Sequence, residues 1–315
     1  MKPKTTIEQQ YCQTKWGQVS YWLSSSLETR RAFSAKPTKI KVVLFLHGVG
    51  GSGRYWFSYL EELAREANPV VALAPDLLGF GASDKPAIDY TSDLHLTIIE
   101  TIIEKCLHSL PSKEFTTVEL ELVGHSMGGI LALLLAGRLV NNEGLLKGEA
   151  LHLTKLALLG TPYASPKHDL EQEVLRSPLN RAMLSRPLIC ELVHHSLKML
   201  WPLVLFLIRK GWVTPALPYP VVADYMQHTC QSYTSSAHHV IFETNLEPVL
   251  NSLQGKNTGS LQTLLIYSRA DGEVPWQHGQ ELAVWFNPCR LELFEQGNHQ
   301  LLGQLALKNL SAFLN

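Results

Sequence analysis

Gly124, Ser126 and Gly128 fit the pattern G-x-S-x-G, and they fall between an apolar stretch and a helical one. That context is the strand–turn–helix the pattern needs to raise a serine hydroxyl above a sheet. The two glycines remove side chains that would collide in so tight a turn. A serine hydroxyl is a weak nucleophile until a base takes its proton. The base should follow the last strand of the sheet on a loop that returns to the turn, and His299 does so in Gly297-Asn-His-Gln300. His194, His195, His238 and His239 lie in a long irregular stretch, and His125 is expected to pack within the turn. An imidazole that becomes charged during reaction needs an acid to orient it. Asp271 follows the preceding strand, with Glu273 as the alternative. The order Ser126, Asp271, His299 is the order of nucleophile, acid and base that accompanies this turn. Together the three would carry out acyl transfer.

Acyl transfer builds an oxyanion, which needs preorganised N–H donors. The backbone N–H of Met127, the residue after the nucleophile, is one candidate. Val49 in the glycine-rich run His47-Gly-Val-Gly-Gly-Ser52 is the other. That run comes directly after the apolar residues 41–46, and His47 is expected to brace it.

Placing these groups requires a sheet. Residues 11–23 read as a hairpin around Gly17, and residues 41–46, 70–74, 118–123, 155–159, 261–267 and 290–294 as strands. Helical patterns fall at 54–67, 94–110, 127–140, 276–286 and 300–314. The alternation indicates an α/β fold, a mostly parallel sheet with helices on both faces. It is interrupted between residues 164 and 257, which predicts a core domain of residues 1–163 and 258–315 with an inserted helical cap. Residues 188–208 of that cap are strongly apolar. Charged and histidine residues interrupt the first half and Pro202 the second, so a membrane-spanning helix is not expected.

Of the 315 residues 45% are hydrophobic and 17% charged, enough apolar material for a large core. A net charge of −1 gives no footprint for nucleic acid. The first ten residues are polar, so no secretory leader is expected. Cys12, Cys106, Cys190, Cys230 and Cys289 are scattered and odd in number, which suggests neither a metal site nor a disulfide framework. A cytoplasmic protein is the default, with peripheral contact to a membrane or lipid through the cap as a further option.

The chain resembles the α/β-hydrolase superfamily, and within it the capped serine hydrolases of esterase and lipase type. The resemblance rests on residues 47–52, 76–84, 124–129, 271–275 and 297–299. It implies no cofactor and a small-molecule ester or acyl substrate. A serine at 126 sets the chain apart from epoxide hydrolases and haloalkane dehalogenases, which place aspartate there. Cleavage of a carboxylic ester through an acyl-enzyme is the first expectation. C–C bond hydrolysis or acyl transfer by the same triad is the second, and a non-catalytic binding protein on this scaffold the third. Trp201, Phe206 and Trp212 are expected either to pack the cap on the sheet domain or, as the functional reading, to line an acyl pocket and contact substrate, with a lipid surface as the further option.

Overall fold

The computed structural model describes residues 7–25, 39–66, 70–109, 117–146, 151–163, 181, 184, 187–215, 217–255 and 261–315. The hairpin around Gly17 is β1 (Ile7–Thr14) and β2 (Gly17–Ser25). The strands that follow are β3 (Lys39–Leu46), β4 (Val70–Pro75), β5 (Thr117–His125), β6 (Leu151–Leu159), β7 (Gln262–Ser268) and β8 (Cys289–Phe294). They form one eight-stranded sheet in the order β1-β2-β4-β3-β5-β6-β7-β8. Pairing is antiparallel from β1 to β2 and from β2 to β4, and parallel elsewhere.

The alternation of side chains along β3 shows why the sheet is covered twice. Val42, Leu44 and Leu46 enter one core cluster and Val43 and Phe45 the other. A strand buried on both faces must be apolar at every position, which is the central parallel strand the sequence suggests. The larger cluster also takes α2 (Ser92–Ser109) and α3 (Met127–Asn141). The smaller takes α1 (Phe57–Leu63) and the C-terminal residues Leu302, Ala306, Leu310 and Leu314.

Three helices are shorter than their patterns suggest. Residues 54–67 resolve into a 3₁₀ turn, Gly53–Trp56, and α1. The helix expected at 276–286 is α8 (Gln277–Ala283). The last helix is broken into a 3₁₀ turn at His299–Leu301, α9 (Leu302–Leu305) and α10 (Leu307–Leu314). The four-residue spacing of its buried residues hides the break, because the apolar side continues across it.

Between β6 and β7 lie α4 (Pro187–Arg209), α5 (Tyr219–Tyr225), α6 (Cys230–Ser236), a π-helical segment Ala237–Phe242 and α7 (Glu247–Gly255). Much of the stretch 164–186 falls outside the described residues. The later part of the insertion packs into the main core: Ala237, Val240, Ile241, Leu246, Leu250 and Leu253 are all buried there.

The structure departs from the sequence reading at two points in this region: the apolar run is one unbroken helix, and two of the cysteines are paired. Residues 188–208 form a single helix that is long and apolar enough to cross a membrane. Pro202 does not interrupt it, because it lies on the exposed side, where water can take the carbonyl freed by the missing N–H. The cysteines are not all free thiols either. Cys190 and Cys230 are joined in a disulfide with Cα atoms 6.1 Å apart, tying α4 to the first residue of α6.

Candidate active site

All the chemistry proposed from sequence falls at the C-terminal ends of parallel strands. Ser126 follows β5, the oxyanion run follows β3, Asp271 follows β7 and His299 follows β8. Ser126 has φ 54° and ψ −123°, a conformation that costs a non-glycine residue of order 1–3 kcal/mol. The turn is held where strain requires it. The Ser126 N–H donates to the Leu159 carbonyl at 2.8 Å. A Cβ on Gly128 would strike the Leu46 carbonyl, and one on Gly124 would strike the Gly128 carbonyl. Both glycines of the pattern are therefore sterically required.

His299 and Asp271 meet directly. The His299 Nδ1–H donates to Asp271 Oδ2 at 2.7 Å, and both side chains are almost fully buried. The other oxygen, Asp271 Oδ1, accepts the backbone N–H of Glu273 at 2.8 Å and of Val274 at 2.9 Å. The carboxylate is thus fixed at both ends, and Nε2 is left as the free base of the imidazole. Burial alone would pull the His299 pKa down. The Asp271 charge, the hydrogen bond to it and the Glu273 charge outweigh burial and leave it raised above 6.5. Burial pushes Asp271 the other way, but His299 and the two backbone donors hold its pKa below the usual carboxylate value. Ser126 and His299 line one cavity of about 120 Å³ with Gly48, Val49 and His125. Among the described residues Ser126 Oγ makes no hydrogen bond to His299 within 3.5 Å; such bonds commonly tighten only with substrate present.

The Val49 and Met127 N–H groups have no protein acceptor among the described residues. Met127 opens α3, so its N–H is one of the helix's unpaired donors. His47 braces the oxyanion run: Nδ1–H donates to the Gly48 carbonyl at 2.7 Å and Nε2 accepts the Leu77 N–H at 3.0 Å. Burial pushes its pKa down to about 4, so the neutral form that both bonds need is the one present. The loop after β4, residues 76–84, has a structural role. Asp76 accepts the Gly53 N–H at 2.7 Å and the Ala82 N–H at 2.9 Å.

Several residues have roles the sequence does not announce. His125 does more than pack: its Nε2–H donates to the His299 carbonyl at 3.0 Å, and its ring lies between Tyr55 and His299. Asp224 in α5 accepts from Ser52 at 2.8 Å and pairs with Arg54 at 3.2 Å, binding α5 to the residues just after β3. Gly160, at φ 51° just after β6, lies against the His299 imidazole. A Cβ there would come within 3.0 Å of His299 Cε1 and 3.1 Å of Nδ1. We expect Gly160→Ala to lower kcat by about 10²-fold, the scale for displacing a reacting group by about 1 Å. Labelling by a fluorophosphonate should slow in parallel while circular dichroism is unchanged. Wild-type labelling in the folded variant would show that the imidazole tolerates the methyl group.

The aromatic residues expected to contact substrate are placed differently. Trp201, Phe206 and Trp212 do not line the cavity. Phe206 and Trp212 face outward, 50% and 75% exposed, because the apolar side of α4 that carries Phe206 points away from the core. Trp201 packs against Tyr225, which does line the cavity. The other apolar walls are Val49, Pro162, Leu184, Ala237, Ile241 and Val274. Glu273, the alternative acid, lines this cavity and does not hydrogen-bond the imidazole. No group of three or more His, Cys, Asp or Glu among the described residues could hold a metal ion.

Comparison with known proteins agrees with this architecture. A probable lysophospholipase of Arabidopsis thaliana, BODYGUARD 3, is 38% identical over 123 residues, 38% of this chain and 21% of that protein. The chain therefore matches only a fifth of that relative's length. A putative carbamate hydrolase, RutD, of Pseudomonas savastanoi is 27% identical over 266 residues, 80% of this chain and 84% of the relative. Among solved structures, a bromoperoxidase from Bacillus anthracis superposes with a TM-score of 0.64 at 17% identity, over 98% of both chains. The model of the alpha/beta hydrolase family matches residues 43–306, most of the sheet and the whole of the site. With its mostly parallel sheet and that match, the chain belongs to the alpha/beta hydrolase family.

Proposed function

We propose that this protein is a hydrolase that cleaves a carboxylic ester of a partly apolar substrate through an acyl-enzyme on Ser126. The observation that carries the reading is the hydrogen bond from His299 Nδ1 to Asp271, on an imidazole that lines one cavity with Ser126. Ser126 Oγ attacks the carbonyl carbon as His299 Nε2 takes its proton. The Val49 and Met127 N–H groups stabilise the oxyanion. His299 then returns the proton to the leaving alkoxide. A water, deprotonated by the same nitrogen, releases the acid and restores Ser126. The lysophospholipase name of the Arabidopsis relative is consistent with ester chemistry. In this reading residues 164–257 act as the cap over the site, and Leu184, Tyr225, Tyr233, Ala237 and Ile241 are its contribution to the walls.

Among the described residues the cavity wall includes Glu273 and no lysine or arginine. That charge favours an uncharged acyl group and repels the carboxylate product. The apolar walls bear on chain length. Each methylene buried should contribute about 0.8 kcal/mol, close to a fourfold gain in kcat/KM per carbon until the cavity is full. With p-nitrophenyl esters, kcat/KM should therefore rise from acetate to at least butyrate. Ile241→Ala should move the preferred length, whereas Phe206→Ala and Trp212→Ala, outside the cavity, should not. A constant preference for acetate in all four proteins would show that the acyl chain does not occupy this cavity.

A further inference from the structure

The apolar residues of α4 that face away from the protein lie along one line, broken only at the exposed His195 between Leu192 and Met199. Leu188, Leu192, Met199, Leu203 and Phe206 follow one another at intervals that stay on one side of a helix. Their exposures are 85%, 67%, 71%, 56% and 50%. At 1.5 Å per residue the line is about 27 Å long. Trp212 and Val213, both exposed, continue it beyond the end of the helix. A surface helix ordinarily turns its polar side outward. An exposed apolar line of this length marks a contact with something else.

The opposite side of α4 is already occupied. Cys190 is bonded to Cys230, the His194 ring lies 4.9 Å from that of His228, and Trp201 lies 6.5 Å from Tyr225. These attachments run along the helix, so α4 cannot be surrounded by lipid while it stays on the protein. Its length would allow a span, but its packing leaves only a helix lying flat, with one side available.

Charge identifies the occupant. Lys198 and Arg209 flank the apolar line on one edge, and Lys210 stands at its end; Glu191 is the one acid in this helix. Cations beside an apolar face match the phosphate level of a lipid layer. An exposed tryptophan at the end of such a face settles at the same depth. A second copy of this chain on a two-fold axis would instead bring like charges together.

We propose that the outer side of α4 docks this protein on the surface of a lipid bilayer that carries anionic headgroups. The cavity is adjacent. Leu184, which lines it, precedes the helix by three residues, and Tyr225 bridges from Trp201 to the cavity wall. The substrate is accordingly an acyl ester resident in the lipid layer, a clause that rests on the hydrolase mechanism above; the docking itself does not.

Vesicle flotation with Ser126→Ala protein tests the docking without degrading lipid. The protein should float with phosphatidylcholine vesicles containing phosphatidylglycerol, and less with phosphatidylcholine alone. Leu192→Glu, Met199→Glu and Leu203→Glu should each lower the partition coefficient by at least about tenfold, since each removes an apolar side chain from the contact. Thermal melting should be unchanged because all three are exposed. Arg209→Gln and Lys210→Gln should each cost about fivefold, on the anionic vesicles only. Absence of vesicle binding, or binding undiminished by the three glutamates, would overturn the proposal. So would a dimer in gel filtration that the glutamates dissolve, which would make this side a self-association surface. Because the readout is binding by an inactive variant, loss of the catalytic reading would leave this result standing, and the reverse also holds.

Discussion

Replacing Ser126 with alanine is expected to lower turnover of any accepted ester by about 10⁴- to 10⁶-fold and to abolish labelling by a fluorophosphonate. The residue supplies the electron pair for the new bond, and no neighbouring side chain can substitute. Tyr55 lines the cavity, but burial pushes its phenol pKa well above the ordinary value, so it carries no competing nucleophile at neutral pH. Stability should barely change, because alanine occupies the same φ 54° turn at similar cost. Ser126→Gly separates strain from chemistry. It should be as inactive as the alanine variant but unfold at higher temperature, by an amount corresponding to about 1–2 kcal/mol, since glycine adopts positive φ without penalty. A glycine variant with an unchanged or lower melting temperature would mean the turn stores no such strain. An alanine variant retaining more than about one part in a thousand of the rate would remove Ser126 from the chemistry.

The parts of this molecule that were legible in its sequence are those whose logic is local. Gly124, Ser126 and Gly128 are close neighbours and announce their turn directly. Asp271 and His299 are far apart, but each follows a strand, and strand order fixes which loops converge. The structure brings those two within hydrogen-bonding distance. What was not legible depends on pairs distant in sequence with no pattern to link them. The bond between Cys190 and Cys230 spans 40 residues. The tie from Asp224 to Ser52 and the contact of Gly160 with His299 are of the same kind. A lone glycine after a strand carries no sign that an imidazole lies on it. α4 was misread for a different reason. Glu191, His194, His195, Lys198 and Pro202 suggest interruption, yet all but His194 are exposed, where none breaks a helix held by packing on its other side. The same outward orientation keeps Phe206 and Trp212 out of the cavity wall.

The second large effect is expected at Asp271, and it has a direction as well as a size. In the wild type the imidazole must be neutral to accept a proton, so kcat/KM should rise with pH and level off above the His299 pKa. That pKa is raised above 6.5, so the midpoint of the rise should lie on the alkaline side of an ordinary histidine. Asp271→Asn removes the charge and also reverses a hydrogen bond. Oδ1 accepts two backbone N–H groups, from Glu273 and Val274, and only an oxygen can do so. The amide oxygen must therefore take that place, which turns the NH₂ toward His299 Nδ1. Facing a donor, Nδ1 has to accept, and the ring proton moves to Nε2, the atom that should receive the proton of Ser126. The expected loss in kcat is about 10⁴-fold. With the carboxylate gone, burial dominates the imidazole, so the midpoint of any residual activity should move to lower pH. Glu273→Gln provides the contrast. Its carboxylate also raises the His299 pKa but makes no hydrogen bond to the ring, so it should shift the midpoint down while leaving the plateau rate within about tenfold of wild type. Plateau loss confined to Glu273→Gln, with Asp271→Asn near wild type, would assign the orienting acid to Glu273. Equal plateau rates in both variants would leave the imidazole with no single partner.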